Sequence, residues 1–559
     1  MMSLPQAITV SNLDHLGLVA GMIDEIGIVA HINDLVGCKA GEKVSPGHTV
    51  KAMIINGLGL VSSPLYLFSK FFEGKATEHL IGEGIKPEHL NDDRLGRVLD
   101  KLYVVGLSQI FTAIALAAAR KFHVALNTAH LDASSFHVHG EYESNLPEVY
   151  FLTQEASSSA VNQAEINQIA APKPITITYG YSRDHRPDLK QFILDLICSE
   201  DGDVPLFLRI GDGNESDQAV FPKIFCEFKK QLDLDALMVA DSALYSESNL
   251  REMASLKWLS RVPLTIKQAK DLVSQQEAET FTQSTIAGYR WSPHQSVYGG
   301  IQQRWLVVES DVRRESDLRR LEKNLKKAQA EADKKLRELS AQSFACVADA
   351  LQAAQKLSQK LKYHHLTAIQ ALEDSSVSRK KTSNLNYKIT ASLELKANVV
   401  DAERRQAGRF ILATNVLDIS QLTPDEMIAK YKNQQASERG FSFLKDPLFF
   451  TDSIFLKSPE RIEAIALIMG LCLLVYTLAQ RQLRQRLKQS QSGIKNQLGQ
   501  LTDRPTLRWI FQCFQAIHLL QIDGVEQVSN LTDERLRILH FFPASCQGYY
   551  LLSNPLKQP

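Results

Sequence analysis

The chain has 559 residues, 44% apolar and 23% charged, with 63 basic and 63 acidic side chains and no formal net charge. That length exceeds what one hydrophobic core organises, so roughly three or four domains are expected. The zero balance excludes a general nucleic-acid coat, and any contact with DNA has to come from local patches. Seven scattered cysteines without a C-x-x-C pair argue against a disulfide framework or zinc knuckle and fit a reducing cytoplasm.

The first residues, MMSLPQAITVSNLDHLG, lack a basic region followed by an apolar run, so no signal peptide is expected. Residues 1–125 read as a helical domain. Leu13 to Val36 and His48 to Phe72 carry apolar residues at three- and four-residue spacing, Asn91 opens a capped helix, and Val105 to Arg120 is a further apolar helix. From 126 the period changes to that of strands. Ala129 to Gly140, Ile175 to Tyr181, Val204 to Ile210, Ala236 to Ala240 and Trp258 to Leu264 read as five strands, with helices over Asp217 to Leu232 and Ser246 to Leu256. Three strands, a helix, a strand, a helix and a strand make a mixed α/β sheet over 126–265.

Residues 266–419 interrupt this scheme. Trp291 to Glu309 and Leu385 to Ala397 read as strands. Between them, Leu318, Leu321, Leu325, Ala328, Ala332, Leu336 and Leu339 form a heptad-like seam in a highly charged helix. A second helix, Val347 to Leu361, is expected to fold back on it as a solvated hairpin. The core resumes over 420–480. Thr423-Pro424-Asp425-Glu426 is a helix start with a capping box, and the helix should end near Asp446-Pro447. Ala464 to Ala479 carries no charge. It is shorter than the ~20 residues of a membrane span, so a buried core helix is expected. The remainder, 481–559, reads as a basic helical region; 456–559 carries 12 basic and 7 acidic residues.

The helix opened by Thr423 holds the most informative pattern. Tyr431, Gln434, Glu438 and Lys445 fall within a wedge of about 60° on a continuous helix. A phenol, an amide, a carboxylate and an ammonium would share that face, where the carboxylate can hold a metal and the others can touch phosphate. Two aspartates can join Glu438: Asp132 within the first strand and Asp241 directly after the apolar strand Leu237-Met-Val-Ala. Functional groups of open α/β sheets gather at strand ends, and three carboxylates can hold two divalent ions about 4 Å apart for phosphodiester chemistry. His137 and His139 lack further ligands at zinc spacing.

The motifs His-Leu-Asp132-Ala-Ser-Ser-Phe, Met-Val-Ala-Asp241-Ser and Tyr431-x2-Gln434-x3-Glu438-x6-Lys445 resemble those of DDE transposases of bacterial insertion sequences, in the broad IS-four superfamily. Phe410-Ile-Leu-Ala-Thr-Asn415, Ser458-Pro-Glu-Arg461-Ile-Glu463 and Gly180-Tyr-Ser-Arg183-Asp-His-Arg186-Pro-Asp188 add to the likeness. The resemblance implies an RNase H-like core interrupted by an insertion domain, with Asp132, Asp241 and Glu438 as catalytic metal ligands for two Mg²⁺ ions, Mn²⁺ substituting. It implies DNA contacts by Tyr431, Gln434 and Lys445, with Arg439 as a further cation, and base stacking by Trp291 or Trp305 of the insertion. Where the family places an arginine, this chain has Gln434. The implied activity is cleavage at element ends and strand transfer into target DNA, by a homodimer synapsing terminal inverted repeats, with no membrane partner. The implied location is the bacterial cytoplasm, at the nucleoid. Two other readings stay open: an inactive relative that binds DNA without cutting, and a non-enzymatic assembly protein built on the helical hairpin.

Overall fold

The computed structural model describes residues 8–39, 41–60, 63–140, 142, 173–231, 235–373, 386–447 and 458–552. The start of the chain and Leu232 and Leu385 of the expected elements lie outside these residues. The chain forms two compact units, Met1–Trp258 with Lys430–Pro559, and Leu259–Ala429.

In the first unit the helices Leu16–Ile26 and Ile28–Val36 are separate, because Gly27 takes φ 85° between them, a conformation that favours glycine. Pro46–Gly57, Asp92–Val105 and Leu107–Lys121 follow. Asn91 caps its helix as the sequence suggests, its Oδ1 accepting the Arg94 N–H at 3.0 Å. The apolar segment becomes the 31-residue helix Pro459–Gln489. It is long and apolar enough to cross a membrane, yet 89% of its most apolar window is buried inside the fold. Arg461 at its start forms a bidentate ion pair with Asp100, both contacts at 2.8 Å.

The terminal regions are not wholly helical. Ile8–Asn12, His518–Ile522 and Val525–Ser529 make a three-stranded antiparallel sheet. A five-residue strand that is mostly exposed and whose partner lies some 500 residues away leaves little local signal, since its ladder is completed only by that distant partner.

The core strands of this unit lie in the order Pro205–Gly211, Lys190–Ser199, Thr128–Val138, Leu237–Ala240. The first three pair antiparallel and the last pairs parallel with Thr128–Val138. This is the third-second-first-fourth order of an RNase H-like core, in a mixed α/β protein. The second strand is Lys190–Ser199, not Ile175 to Tyr181; the latter makes a single bridge, Thr178 to Gln191. The FILDLIC run of Lys190–Ser199 is buried on both faces, so it lacks the alternation that marks a half-exposed strand.

The second unit is an antiparallel array in the order Lys257–Val262, Arg409–Thr414, Ile301–Ser310, Tyr289–Tyr298, Thr282–Gln283. Gly299 and Gly300, with φ 63° and 78°, turn the hairpin in the tight manner that needs two left-handed residues. Glu309 is buried among arginines, 2.9 Å from Arg409 Nε and paired with Arg290. The charged helices are Asp311–Ala341 and Val347–Lys360. They are not a free-standing hairpin: Leu339, Ala350 and Ala354 pack with Leu366 and Ile389 of the strand pair His364–Glu373 and Tyr387–Leu395. Leu321 packs instead with Tyr363 and Val400. Trp305 is buried with its Nε1 donating to Gln303, and Trp291 Nε1 donates to Asp425.

Candidate functional site

Strand register brings the two aspartates together. In the parallel pair, His130 stands opposite Val239; two residues on, Asp132 falls level with Asp241, which ends its strand. Adjacent strands lie about 4.8 Å apart. Asp132 Oδ1 accepts the neighbouring Ala133 N–H at 2.9 Å. Asp241 Oδ1 accepts the Ala243 N–H at 2.9 Å and so caps the short helical turn Ser242–Leu244. Burial pushes the Asp132 carboxyl up to about 7; the Arg183 charge opposes this, and the Asp241 and Asp217 charges add to it. Asp217 is itself raised, first by burial, with Arg183 opposing and Asp241 adding. From the sequence, Arg183 enters only as part of the Gly180–Asp188 likeness and Asp217 only as a helix start, and neither is assigned a place beside the acids; the two are ion-paired. Arg183 lies in the Gly180–Asp188 segment, whose backbone is fixed to the first strand by the Arg183 N–H donating to Ser135 Oγ at 3.1 Å.

The wedge of four polar residues does not survive as one helix face. The capping box forms, with Thr423 N donating to Glu426 at 2.7 Å and Glu426 N to Thr423 Oγ1 at 3.3 Å. The helix it opens, however, ends at Lys432, and a second one runs Gln435–Leu444. Gln434 sits at the break as the N-cap of the second helix, and Lys445 is its C-cap. Asn433 Nδ2 and Lys430 Nζ both bind Glu200, at 2.7 and 3.0 Å. These side-chain bonds tie the end of the first helix and the turn to Glu200. Tyr431 therefore lies on a different helix from Glu438.

Glu438 is exposed in the first turn of Gln435–Leu444. Its neighbour Ser437 is buried and donates through Oγ to the carbonyl of His130 at 3.1 Å. The Glu438 helix is thus fastened to the strand that carries Asp132, two residues before it. Arg439 is held by Asp203 in a bidentate pair at 2.6 and 2.7 Å. Lys445 binds both oxygens of Asp184 at 2.9 and 2.7 Å and lies 5.2 Å above the Phe136 ring. His137 faces the same Asp184 at 3.7 Å.

The donor chemistry of the aspartate pair fits a hard divalent cation: oxygen ligands only, and a cluster of carboxylates whose mutual repulsion a bound cation would relieve. Among the described residues, however, no three His, Cys, Asp or Glu side chains converge closely enough to hold a metal ion. Glu438 does not join Asp132 and Asp241 in such a group. The fold presents an acid pair with its third carboxylate on an attached helix.

Residues 8–116 match a domain of unknown function (DUF4277). Comparison with curated proteins gives no match. Among solved structures, the chain is similar to a piggyBac transposase synaptic complex with hairpin DNA, determined by cryo-EM. The identity is 8% and the TM-score 0.35, over 99% of this chain and 86% of that one. Residues 131–477, which contain Asp132, Asp241 and Glu438, match the Transposase DDE domain. The match takes in more than half of the sequence, and the chain belongs to the DDE transposase family.

Proposed function

We propose that this transposase cuts DNA at the ends of a bacterial insertion sequence of the IS-four type and joins the freed 3′-hydroxyls to target DNA. The observation that carries the reading is the level placement of Asp132 and Asp241 in the parallel strand pair, with the Glu438 helix fastened to the same strand. Asp132, Asp241 and Glu438 would hold Mg²⁺, two ions when fully loaded, or Mn²⁺ in its place. A divalent cation there supplies charge stabilisation for the attacking and leaving oxygens of the phosphodiester. The chain's own residues do the positioning, which in phosphoryl transfer is most of the catalysis. Arg183 brings a guanidinium to the acid pair. Lys445 and Arg439, released from Asp184 and Asp203, would take phosphates instead, exchanging one charge-assisted bond for another. Tyr431 and Gln434 would contact the strand at the helix break, Gln434 as a neutral donor.

A homodimer would bring two terminal inverted repeats together, with residues 1–125 reading the repeats in a cytoplasmic, nucleoid-bound complex. One observation favours a second reading, a relative that binds DNA without cutting: Glu438 stands outside the acid pair. Incubation with Mg²⁺ or Mn²⁺ and DNA carrying the element's ends, beside E438Q, separates the two. Cleavage by the wild type that is lost in E438Q with binding retained supports the transposase. Binding that never leads to a cut supports the second reading. Absence of DNA binding at low salt overturns both.

A further inference from the structure

We infer that Arg439, Arg484 and Arg504 form a site for a backbone phosphate of DNA, and that the Asp203 carboxylate occupies this site when no DNA is bound. This rests on the proposed function and deepens it, since it joins residues of three further segments to the Glu438 helix.

Asp203 lies in the turn between the strands Lys190–Ser199 and Pro205–Gly211, with φ 60°. Arg439, directly after Glu438, holds both of its oxygens, at 2.6 and 2.7 Å. The helix Pro459–Gln489 meets the same turn, where Arg481 Nε donates to Asp201 at 2.9 Å. Arg484 follows Arg481 by three residues and so stands about one turn further along the same side of that helix. Its Nε donates to the Pro505 carbonyl at 3.0 Å, which brings Arg504 alongside. The stretch from Pro505 to Arg508 is in turn fastened to the end of the Glu438 helix. Arg508 Nη1 donates to Asp446 at 2.8 Å, and the Arg508 N–H donates to the Tyr476 hydroxyl at 3.2 Å. The Tyr476 ring lies 4.5 Å from that of Phe443.

Three arginines from three elements are thus gathered at one aspartate, and Arg439 already takes both of its oxygens. Among the described residues, Arg484 and Arg504 enter no ion pair. The other acids close by do not serve them: Asp201 is held by Arg481 and Asp446 by Arg508, while the exposed Asp503 pairs with neither arginine. Burial lowers the pKa of the half-buried Arg484; Tyr476 and Asp203 oppose this, and the Arg504 and Arg439 charges add to it. A phosphate brings the negative charge that this group lacks, in the geometry that the planar fork of arginine matches. On the proposed function, the phosphates that reach the Glu438 helix are those of DNA. Arg439 stands about 100° around the helix from Glu438, so the site takes a phosphate beside the cut and not the one being cut.

The test uses the full-length protein and a random-sequence duplex, with binding followed by fluorescence anisotropy over a range of salt. D203N keeps the turn, because asparagine tolerates the left-handed backbone. It should tighten binding roughly 3- to 10-fold, since Arg439 no longer has to leave a carboxylate. R484Q/R504Q should weaken binding roughly 10-fold near 0.1 M salt and lower the slope of log K against log salt by about 2, at ~0.9 per phosphate contact. The controls are D235N, which breaks the exposed Lys257–Asp235 pair, and K229Q/K230Q; both should bind as the wild type does. Unaltered circular dichroism and thermal midpoints establish that the variants fold. If D203N binds no tighter than the wild type, Asp203 occupies no DNA site and the inference fails. It fails equally if R484Q/R504Q keeps wild-type affinity and slope. If each variant shifts binding no more than its control, net charge is responsible and there is no site. In these three cases cleavage by the wild type leaves the proposed function standing. If the wild type binds no duplex at low salt, the inference and the proposed function fall together.

Discussion

Replacing Glu463 by Gln should stabilise the protein, and more so as pH rises. Glu463 is 8% exposed, in the first turns of the helix Pro459–Gln489. Its Oε1 accepts the Ile175 N–H at 2.9 Å. Burial, with the nearby Glu460 and Asp212 charges adding, pushes its carboxyl from 4.5 up to about 8. Below pH 4.5 the carboxyl is protonated in both the folded and the unfolded chain, and its full contribution to stability is present. As pH rises the unfolded chain ionises first, and the contribution is lost progressively until pH passes about 8. The interval, at about 1.4 kcal/mol per pH unit, sets a ceiling of ~5 kcal/mol. Local opening that lets water reach the carboxylate reduces this to roughly 2–3 kcal/mol. Glutamine keeps an oxygen for Ile175 and never ionises. The two proteins should therefore have similar unfolding midpoints at pH 5, and E463Q should melt higher at pH 9, in circular-dichroism melts at each pH. Taking the difference cancels the other titrating groups. A gap that is constant from pH 5 to 9, or an E463Q that melts lower at pH 9, would refute the assignment of a neutral carboxyl to Glu463.

Three further outcomes are expected. S437A removes the buried Oγ bond to the His130 carbonyl and should cost about 1 kcal/mol. It should slow cleavage while leaving duplex affinity unchanged; an unaltered rate would show that this bond does not position Glu438. G470A places a Cβ 2.3 Å from Leu208 Cδ1 and 3.1 Å from Phe111 Cε2, an overpacking worth roughly 1–3 kcal/mol; a wild-type thermal midpoint would contradict it. R183Q removes the guanidinium beside the acid pair and should lower the cleavage rate roughly 100-fold, as loss of one preorganised charge donor does. A rate within twofold of the wild type would remove Arg183 from the site.

The acid pair was legible in the sequence because its signal is local: an apolar strand that stops at Asp241, and an Asp inside a strand of matching type. The mixed α/β character of the core followed from the alternation of elements, but the strand Lys190–Ser199 did not, since a strand buried on both faces shows no alternation. The seam of the charged helix correctly marked its inward face, with Leu321, Ala332 and Leu339 buried. What covers that seam could not be read locally, because the covering strands His364–Glu373 and Tyr387–Leu395 come later and pair with each other. Arg183 was legible only as part of the Gly180–Asp188 likeness, without a position. It lies in a segment without regular structure, and the Ser135 bond that fixes this segment to the strand of Asp132 is a long-range contact.

The helix break changes which part of the polar wedge carries meaning. In Gln435–Leu444 the buried residues are Ala436, Ser437, Gly440, Phe441 and Leu444, whose mean direction is at about 70° if Ala436 is at 0°. Glu438 then falls at about 200° and Lys445, one residue past the helix with near-helical backbone, at about 180°. These two still share a flank, while Tyr431 and Gln434 belong to the preceding helix and the turn. The direction of that flank is fixed by what Lys445 touches: Asp184 and the ring of Phe136. The residue before Asp184 is Arg183, whose charge acts on Asp132 and whose guanidinium is ion-paired with Asp217, so Lys445 and Arg183 are tied to the same short segment while Gln434 stays at the helix break.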